Sequence, residues 1–336
     1  MMMSFKQSNQ PISMPMYAGL ECGGTTCRVS FASPTPEDIL EKHVIPTTTP
    51  EETLHAVETL LADRQFDALG IASFGPIVLD KTSPDYGMIS TTPKPHWANT
   101  HLLRHFQRRY PDTPIAIDTD VNAPAIAESA YGPKHLRGKR VVYVTIGTGV
   151  GAGMFLPQTQ ISEEATPSDV LKVALSMPHS CAEAGHIMPP LHKHDLPGGL
   201  YPAKGDRQDG FKGVCPFHGR CLEGLVAAPS LAQRLGVPQA DLAVIDDSHE
   251  LWDVAAHYLS QLCLSITLIA SPDVIVLGGG VMGRTILYEK IRTEFKSILN
   301  GYMPVGDVDK YIISSKWGGS AGVVGALTMA AVALEE

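Results

Sequence analysis

Arg140-Val-Val-Tyr-Val-Thr-Ile-Gly-Thr-Gly-Val-Gly-Ala-Gly153 decides the fold, because the chain has already made the same move near its start. The apolar, β-branched run up to Ile146 reads as a buried strand. The glycines after it form a turn, and Met154-Phe-Leu156 begins a returning strand. Earlier, Met16-Tyr-Ala-Gly-Leu20 and Val29-Ser-Phe-Ala32 flank Glu21-Cys-Gly-Gly-Thr-Thr26 in the same way. Two strand–glycine turn–strand units predict a duplicated α/β architecture with a cleft between its halves. A length of 336 residues also favours two domains over one core.

Outward from these units, helix and strand alternate. Residues 50–61 read as a helix, with Pro50-Glu-Glu at its start and Leu54, Val57, Leu60 and Leu61 on one face. A strand over 68–73 ends in Phe74-Gly-Pro76. A helix over 100–110 precedes a strand over 114–117, which runs into Asp118-Thr-Asp-Val-Asn122. Residues 157–180 carry no regular pattern, and 187–214, rich in Gly, Pro and His, form a long loop. A helix over 252–270 leads to a buried strand, Asp273-Val-Ile-Val-Leu277, which ends in Gly278-Gly-Gly280. The tail over 320–334 is a packed helix. The expected division is a loose leader over 1–15, an N-terminal domain over 16–124 and a C-terminal domain over 125–318 that carries the long loop. A final segment, 319–336, packs back on the N-terminal domain.

Composition narrows the function. The apolar fraction is 44% and the charged fraction 18%, values typical of a soluble globular protein. A net charge of -9 argues against a nucleic-acid or anionic-membrane partner. No apolar run is expected to span a bilayer, and the opening residues lack the apolar centre of a signal peptide, so the expected location is cytoplasmic.

Phosphate groups need several N–H donors at close range, which glycine permits and threonine supplements. Gly23-Gly-Thr-Thr26 and Thr145–Gly149 both offer this at strand ends, and 278–280 offers a third glycine set. Gly147-x-Gly149-x-x-Ala152 also fits a relaxed dinucleotide fingerprint, but it runs into a strand where that motif opens a helix. There is no P-loop Gly-Lys-Ser/Thr. Asp118 and Asp120 stand just past a strand end, where ligands of α/β sheets gather. Transfer of a phosphoryl group to an alcohol needs one carboxylate to accept the hydroxyl proton. A turn after the strand leaves only one of the two facing the cleft.

Cys215-Pro-Phe-His218-Gly-Arg-Cys221 places two thiols and an imidazole in one short segment. Zinc prefers four tetrahedral N/S ligands, so a fourth must come from elsewhere. His186, His192 and His194 are candidates, with His179 and Cys181 behind them. Such a site is expected to be structural, fixing the long loop and through it the neighbouring Glu183 and Glu223. Trp97, in Lys94-Pro-His-Trp-Ala-Asn99, is either a pocket wall or a loop anchor.

Taken together, these motifs resemble those of the ROK (repressor, ORF, kinase) family, within it the bacterial ROK fructokinases. The carriers are Glu21-Cys-Gly-Gly-Thr25, Ser90-Thr-Thr-Pro-Lys-Pro95, Asp118-Thr-Asp-Val-Asn122, Val144-Thr-Ile-Gly-Thr-Gly149, Glu183-Ala-Gly-His186, Cys215-Pro-Phe-His-Gly-Arg-Cys-Leu-Glu-Gly224 and Val276-Leu-Gly-Gly-Gly-Val281. The resemblance implies an actin-like (hexokinase-type) ATPase fold, a homodimer, and ATP-dependent phosphorylation of a hexose, fructose first among the candidates. It makes Asp120 the catalytic base. Glu183, His186, Glu223 and Asn99 become sugar contacts. Gly23, Gly24, Thr25, Thr145, Gly147, Thr148, Gly149, Gly278, Gly279 and Gly280 become the ATP site, with Mg2+ on the phosphates. The zinc set becomes His186, Cys215, His218 and Cys221. Three departures stand out: Glu21 where many relatives carry Asp, Thr26 where the fructokinase branch carries Lys, and a longer stretch between His186 and Cys215. Another hexose (glucose, mannose or an N-acetylhexosamine) is the first alternative. A sugar-sensing regulator is the second, although too few residues precede the first strand for a helix-turn-helix domain.

Overall fold

The computed structural model describes residues 14–92, 94–162, 164–200 and 210–335. Most of the expected leader and the middle of the long loop therefore lie outside the described residues.

Tyr17–Cys22 (β1) and Thr26–Ala32 (β2) form an antiparallel hairpin whose pairing continues up to the glycine turn, so both strands are longer than the apolar pattern indicated. Ile39–Pro46 (β3) adds to β2. Pro50–Ala62 (α1) starts with Pro at its first turn, while the Thr49 hydroxyl accepts from the Glu52 N–H at 3.3 Å. Ala68–Ser73 (β4) runs parallel to β1. A short ribbon of Met88–Ile89 (β5) and Thr100–His101 (β6) takes the residues expected to open the next helix, so Leu102–Arg109 (α2) starts later. Ile115–Thr119 (β7), parallel to β4, completes a sheet ordered β3-β2-β1-β4-β7.

Asn122–Tyr131 (α3) leads to a second hairpin, Val141–Ile146 (β8) and Val150–Phe155 (β9). Then come Pro167–Ser176 (α4), Leu222–Val226 (α5), Ala228–Leu235 (α6), Leu251–Ala270 (α7), Val274–Gly278 (β10), Ile286–Leu299 (α8), Val308–Tyr311 (α9), Ile312–Ser314 (β11) and Ala321–Ala333 (α10). The second sheet is ordered β11-β10-β8-β9, with β8 parallel to β10 and β10 parallel to β11. An antiparallel hairpin followed by two parallel strands thus occurs twice, as the repeated turn predicts.

Two expectations are corrected. Residues 157–180 contain α4, which has a reciprocal cap: Thr166 Oγ1 accepts from the Asp169 N–H at 3.3 Å, and the Asp169 carboxylate accepts from the Thr166 N–H at 2.8 Å. Its Val170, Leu171 and Ala174 are buried. The other correction concerns α7, which has the length and apolar composition of a membrane span. In this fold α7 spends those residues on protein: Leu251, Trp252, Tyr258, Leu262 and Ile266 are buried in the core of the second half.

Small residues knit the halves. A Cβ at Gly70 of β4 would lie 1.9 Å from the Ala326 carbonyl oxygen, and one at Gly19 would lie 2.9 Å from Leu327 N, so α10 rests directly on the first sheet. Adding one methyl at position 70 would force that helix away, an overpacking cost of about 1–3 kcal/mol. A Cβ at Gly325 would meet Pro124 N at 2.7 Å, which seats α10 against α3. A Cβ at Gly153 would lie 2.0 Å from the Val121 carbonyl carbon, so β9 of the second half meets the segment that follows β7 of the first.

Candidate active site

That junction carries Asp118, Asp120 and Asn122, and the structure separates the two carboxylates. Asp118 is fully buried. It takes the Thr119 N–H at 2.7 Å and the Asn122 amide at 2.8 Å on Oδ1, and His179 Nδ1 on Oδ2. His179 Nε2 meets the Ala174 carbonyl at 2.8 Å. Burial works against charge on this imidazole, yet the Asp118 carboxylate and the Ala174 carbonyl hold its pKa above the ordinary value. Asn122 is the hub: its amide also donates to the Ser180 carbonyl at 2.9 Å, and its oxygen accepts from the Met154 N–H at 2.9 Å.

Asp120 is half-buried, and among the described residues no side chain is hydrogen-bonded to its carboxylate. Its own N–H is held by the Ser73 carbonyl at 2.9 Å, at the end of neighbouring β4. Burial, then the charges of Glu21 and Glu183, push its carboxyl up to about 7. A carboxylate with that pKa is matched to proton transfer near neutral pH. Glu21 is itself fixed by Arg28, which donates to its Oε2 at 2.7 Å.

Val150, which follows the second glycine turn, lies against the segments of Glu183, His186 and Glu223, the residues expected to contact the sugar. A Cβ at Gly185 would lie 1.8 Å from the Val150 oxygen, so the Glu183-Ala-Gly-His186 turn sits on this peptide. From the other side, Glu223 Oε2 accepts the Val150 N–H at 3.2 Å. A Cβ at Gly149 would meet the same oxygen at 2.6 Å. Glu183 is exposed, with the Cys181 thiol 3.7 Å from its Oε1. Asn99 is exposed at a φ of 62°, and no hydrogen bond among the described residues joins its side chain to Asp120, Glu183 or Glu223.

The first glycine turn closes through Gly23 N–H on the Thr26 carbonyl at 2.9 Å. Its carbonyls are held by protein: Thr47 Oγ1 donates to Gly23 O at 2.8 Å, and Lys94 Nζ donates to Gly24 O at 2.7 Å. The N–H groups of Gly24 and Thr25 take no partner among the described residues, and Gly24 has no atom within 4 Å of an added Cβ. In the second half, Gly147, Thr148 and Gly280 line a cavity of about 660 Å³ whose walls include Leu231, Trp252 and Arg284. Gly278 and Gly279 are placed differently. A Cβ there would strike the Tyr143 hydroxyl at 2.4 Å or the Ile146 oxygen at 2.4 Å, so these two glycines seat the turn against β8. The walls from α6 and α7 carry no motif and were not foreseen. Among the lining residues the Arg284 guanidinium lies 4.2 Å from the Trp252 ring centroid and is paired with Asp247, which also lines the cavity.

The donor atoms of His186, Cys215, His218 and Cys221 all lie within 4.8 Å of one another. Edges from His186 Nδ1 are 3.8 Å to Cys215 Sγ, 3.5 Å to Cys221 Sγ and 3.3 Å to His218 Nδ1. A zinc tetrahedron with Zn–S of about 2.3 Å and Zn–N of about 2.0 Å has edges of roughly 3.3–3.8 Å, so this donor set fits. The other candidate ligands are elsewhere. His192 meets His194 at a tilt and His257 edge-on, at ring distances of 4.9 and 5.1 Å, His179 is on Asp118, and Cys181 is beside Glu183.

The profile of the ROK family matches residues 17–164 and 175–333. The chain is 36% identical over 321 residues to the fructokinase of Pediococcus pentosaceus, covering 95% of this chain and 99% of that one. It is 38% identical over 307 residues to the fructokinase of Streptococcus mutans, covering 89% and 91%. Among solved structures it resembles a ROK family glucokinase from Streptomyces griseus in complex with glucose and AMPPNP, at a TM-score of 0.67, 19% identity and coverage of 94% and 99%. It also resembles the ROK hexokinase of Thermus thermophilus, at a TM-score of 0.63, 22% identity and coverage of 95% and 99%. These likenesses show the fold to be the duplicated actin-like, hexokinase-type ATPase fold.

Proposed function

The chain belongs to the ROK family, and from that premise we propose that it is an ATP-dependent fructokinase, converting D-fructose and ATP into fructose 6-phosphate and ADP. The observation that carries the chemistry is Asp120, a half-buried carboxylate just past the end of β7 with its pKa pushed up to about 7, while its neighbour Asp118 is sealed into a buried network. Asp120 accepts the proton of the sugar 6-hydroxyl as that oxygen attacks the γ-phosphorus. The fructokinase names of the relatives support fructose as the acceptor.

Glu183, His186 and Glu223 are assigned to the sugar hydroxyls, since the turn bearing the first two packs on Val150 and Glu223 accepts the Val150 N–H. Asn99 remains a proposed contact at the rim. ATP enters as its Mg2+ complex. The N–H groups of Gly24 and Thr25 face its phosphates from one half, and those of Thr148 and Gly149, with the Thr145 hydroxyl, from the other, while the Gly147 N–H closes the turn on the Gly149 carbonyl at 2.9 Å. The cavity bounded by Gly280, Leu231, Trp252 and Arg284 takes the nucleoside. Gly23, Gly278 and Gly279 shape these turns. His186, Cys215, His218 and Cys221 would hold zinc, and four protein ligands would make it a structural clasp on the loop rather than a participant in the reaction. A homodimer and a cytoplasmic location belong to the same reading through the family; sedimentation tests the first.

The deciding measurement is ADP release across a panel of fructose, glucose, mannose and N-acetylhexosamines. Fructose is expected to give the highest kcat/KM. A different sugar in first place would overturn fructose and leave the kinase. No release with any sugar would turn the assignment to a sugar-sensing regulator.

A further inference from the structure

At the foot of the first glycine turn two thiols face each other. Cys22 ends β1, Cys27 lies near the start of β2, and the strand register sets them directly opposite. The Gly23–Thr26 pair inside them is hydrogen-bonded. Antiparallel pairs alternate, so Cys22–Cys27 is a non-hydrogen-bonded pair, in which Cα atoms lie about 4.5 Å apart and side chains approach most closely. That spacing falls inside the roughly 4.4–6.8 Å range that a disulfide accepts. The two sulfurs are 3.0 Å apart and both side chains are fully buried. The remaining cysteines are differently engaged: Cys215 and Cys221 in the metal cluster, Cys181 beside Glu183, and Cys263 buried in α7.

We propose that Cys22 and Cys27 are a redox-active pair, oxidised by hydrogen peroxide to a disulfide that locks the turn and weakens ATP binding. The Cys22 thiol holds Cys27 below the usual thiol value despite burial, whereas Cys22 is pushed up by its neighbour and by burial. Either thiol of the pair, once deprotonated, can attack, and the route through Cys27 is representative because both routes end in the same disulfide. On that route the Cys27 thiolate displaces hydroxide from peroxide, breaking the O–O bond and leaving a sulfenic acid. Cys22 then attacks the Cys27 sulfur, the S–O bond breaks, and hydroxide leaves. With the two thiol protons, the products are one disulfide and two waters. A dithiol reverses the step by exchange.

The link to the turn is Thr47. Its Oγ1 lies 3.5 Å from Cys27 Sγ and donates to Gly23 O at 2.8 Å. Drawing the Cys27 sulfur onto Cys22 removes it from Thr47 and disturbs the hydroxyl that holds the turn carbonyl. Because both sulfurs are buried behind the turn, oxidation requires the turn to open, and bound MgATP opposes it. This functional part rests on Gly24 and Thr25 as phosphate contacts; the thiol chemistry does not.

Trypsin releases residues 7–28 as one peptide, which contains Cys22 and Cys27 and no other cysteine. The protein is treated with hydrogen peroxide, alkylated with iodoacetamide and digested without reductant. We expect this peptide to lose the mass of two hydrogens and escape alkylation, more slowly with MgATP present. In parallel, kcat/KM for ATP falls on the order of 10- to 100-fold, the scale of a small misplacement of a binding group, and returns with dithiothreitol. Cys22→Ala and Cys27→Ala each keep their activity through the same treatment. Peptide 7–28 recovered doubly alkylated overturns the pair. A disulfide that leaves ATP kinetics unchanged overturns the switch, as does a loss of activity that persists in both variants and so comes from Cys215 and Cys221. If untreated protein has no kinase activity, the ATP reading falls, while the peptide mass still decides the chemistry.

Discussion

Asp118 and His179 stand 61 residues apart in sequence and touch in the fold, imidazole Nδ1 on carboxylate Oδ2. Asp118 also holds the Thr119 N–H and the Asn122 amide, so the pair ties the segment after α4 to the strand end that presents Asp120. His179→Ala should loosen that strand end without touching the reacting groups. The expected result is a fall in kcat of about tenfold or more, the cost of a misplaced catalytic group, with less change in KM for ATP. Because the pKa of His179 is raised in the folded state, its charged form stabilises the fold below the unfolded value, near 6.5, and that contribution is lost as pH rises through the folded value. The stability difference between wild type and His179→Ala, from urea denaturation, should therefore be larger at pH 6 than at pH 9.

Asp120→Asn should lower turnover by about 10²–10⁴-fold, the usual worth of a positioned base, while fructose and ATP still bind. Turnover like that of the wild type would sink the mechanism. In wild type, kcat/KM for fructose should fall as pH drops below about 7, where Asp120 becomes protonated. The stability sign is opposite to that of an ordinary paired Asp. Between the unfolded value, near 3.9, and about 7 the folded protein holds the extra proton, so stability declines as pH rises through that window. Asp120→Asn should thus melt higher than wild type at pH 7.5, and thermal scans would show that gain shrinking toward pH 4.

The parts legible in the sequence were local. The glycine turns, β4 and α1 were readable because apolar period and turn residues lie close together along the chain. The hairpin pairing across Gly23–Thr26 followed from them. Less was visible where burial removes the polar face: every residue of α3 is buried, so its sequence has no amphipathic period to read. The Thr166-Pro-Ser-Asp169 cap of α4 is a local signal too, but it opens a short helix inside an otherwise irregular stretch. The split of Asp118 from Asp120 could only be narrowed, since the partner that takes Asp118, His179, is supplied by tertiary packing. Likewise, the spacing of Cys215, His218 and Cys221 proclaimed a metal cluster. Spacing alone leaves His186, His192 and His194 level; the resemblance selects His186, and the fold groups its donor atom with the other three while His192 lies against His257.

The zinc assignment predicts about one zinc per chain in purified protein. Cys215→Ser with Cys221→Ser should abolish it. Metal analysis checks the content, and sugar kinetics check the consequence. The Leu222 N–H is bonded to the Ile187 carbonyl at 2.9 Å, so the cluster connects directly to the segments bearing Glu183 and Glu223. Loss of metal should therefore raise KM for fructose more than KM for ATP, and lower the melting temperature. Metal-free wild type that phosphorylates fructose normally would refute the structural role.

Gly279 and Gly280 are adjacent, yet they should respond to substitution in opposite ways. Gly279 has a φ of 88° and would drive a Cβ to 2.4 Å from the Ile146 oxygen, whereas a Cβ at Gly280 meets no atom within 4 Å. Gly279→Ala must strain the backbone and separate the turn from β8, so it should lower the melting temperature and impair every kinetic constant. Gly280→Val places its methyls in the cavity of about 660 Å³ beside Gly147 and Thr148. Its fold should stay within about 0.5 kcal/mol of wild type, as for substitutions away from packed features. If that cavity takes the nucleoside, KM for ATP should rise about tenfold or more while KM for fructose holds, since the valine fills space that only the nucleotide would use. Steady-state kinetics with each substrate varied in turn, beside a thermal scan, separate the two variants. Unchanged ATP kinetics in Gly280→Val would move the nucleotide out of this cavity.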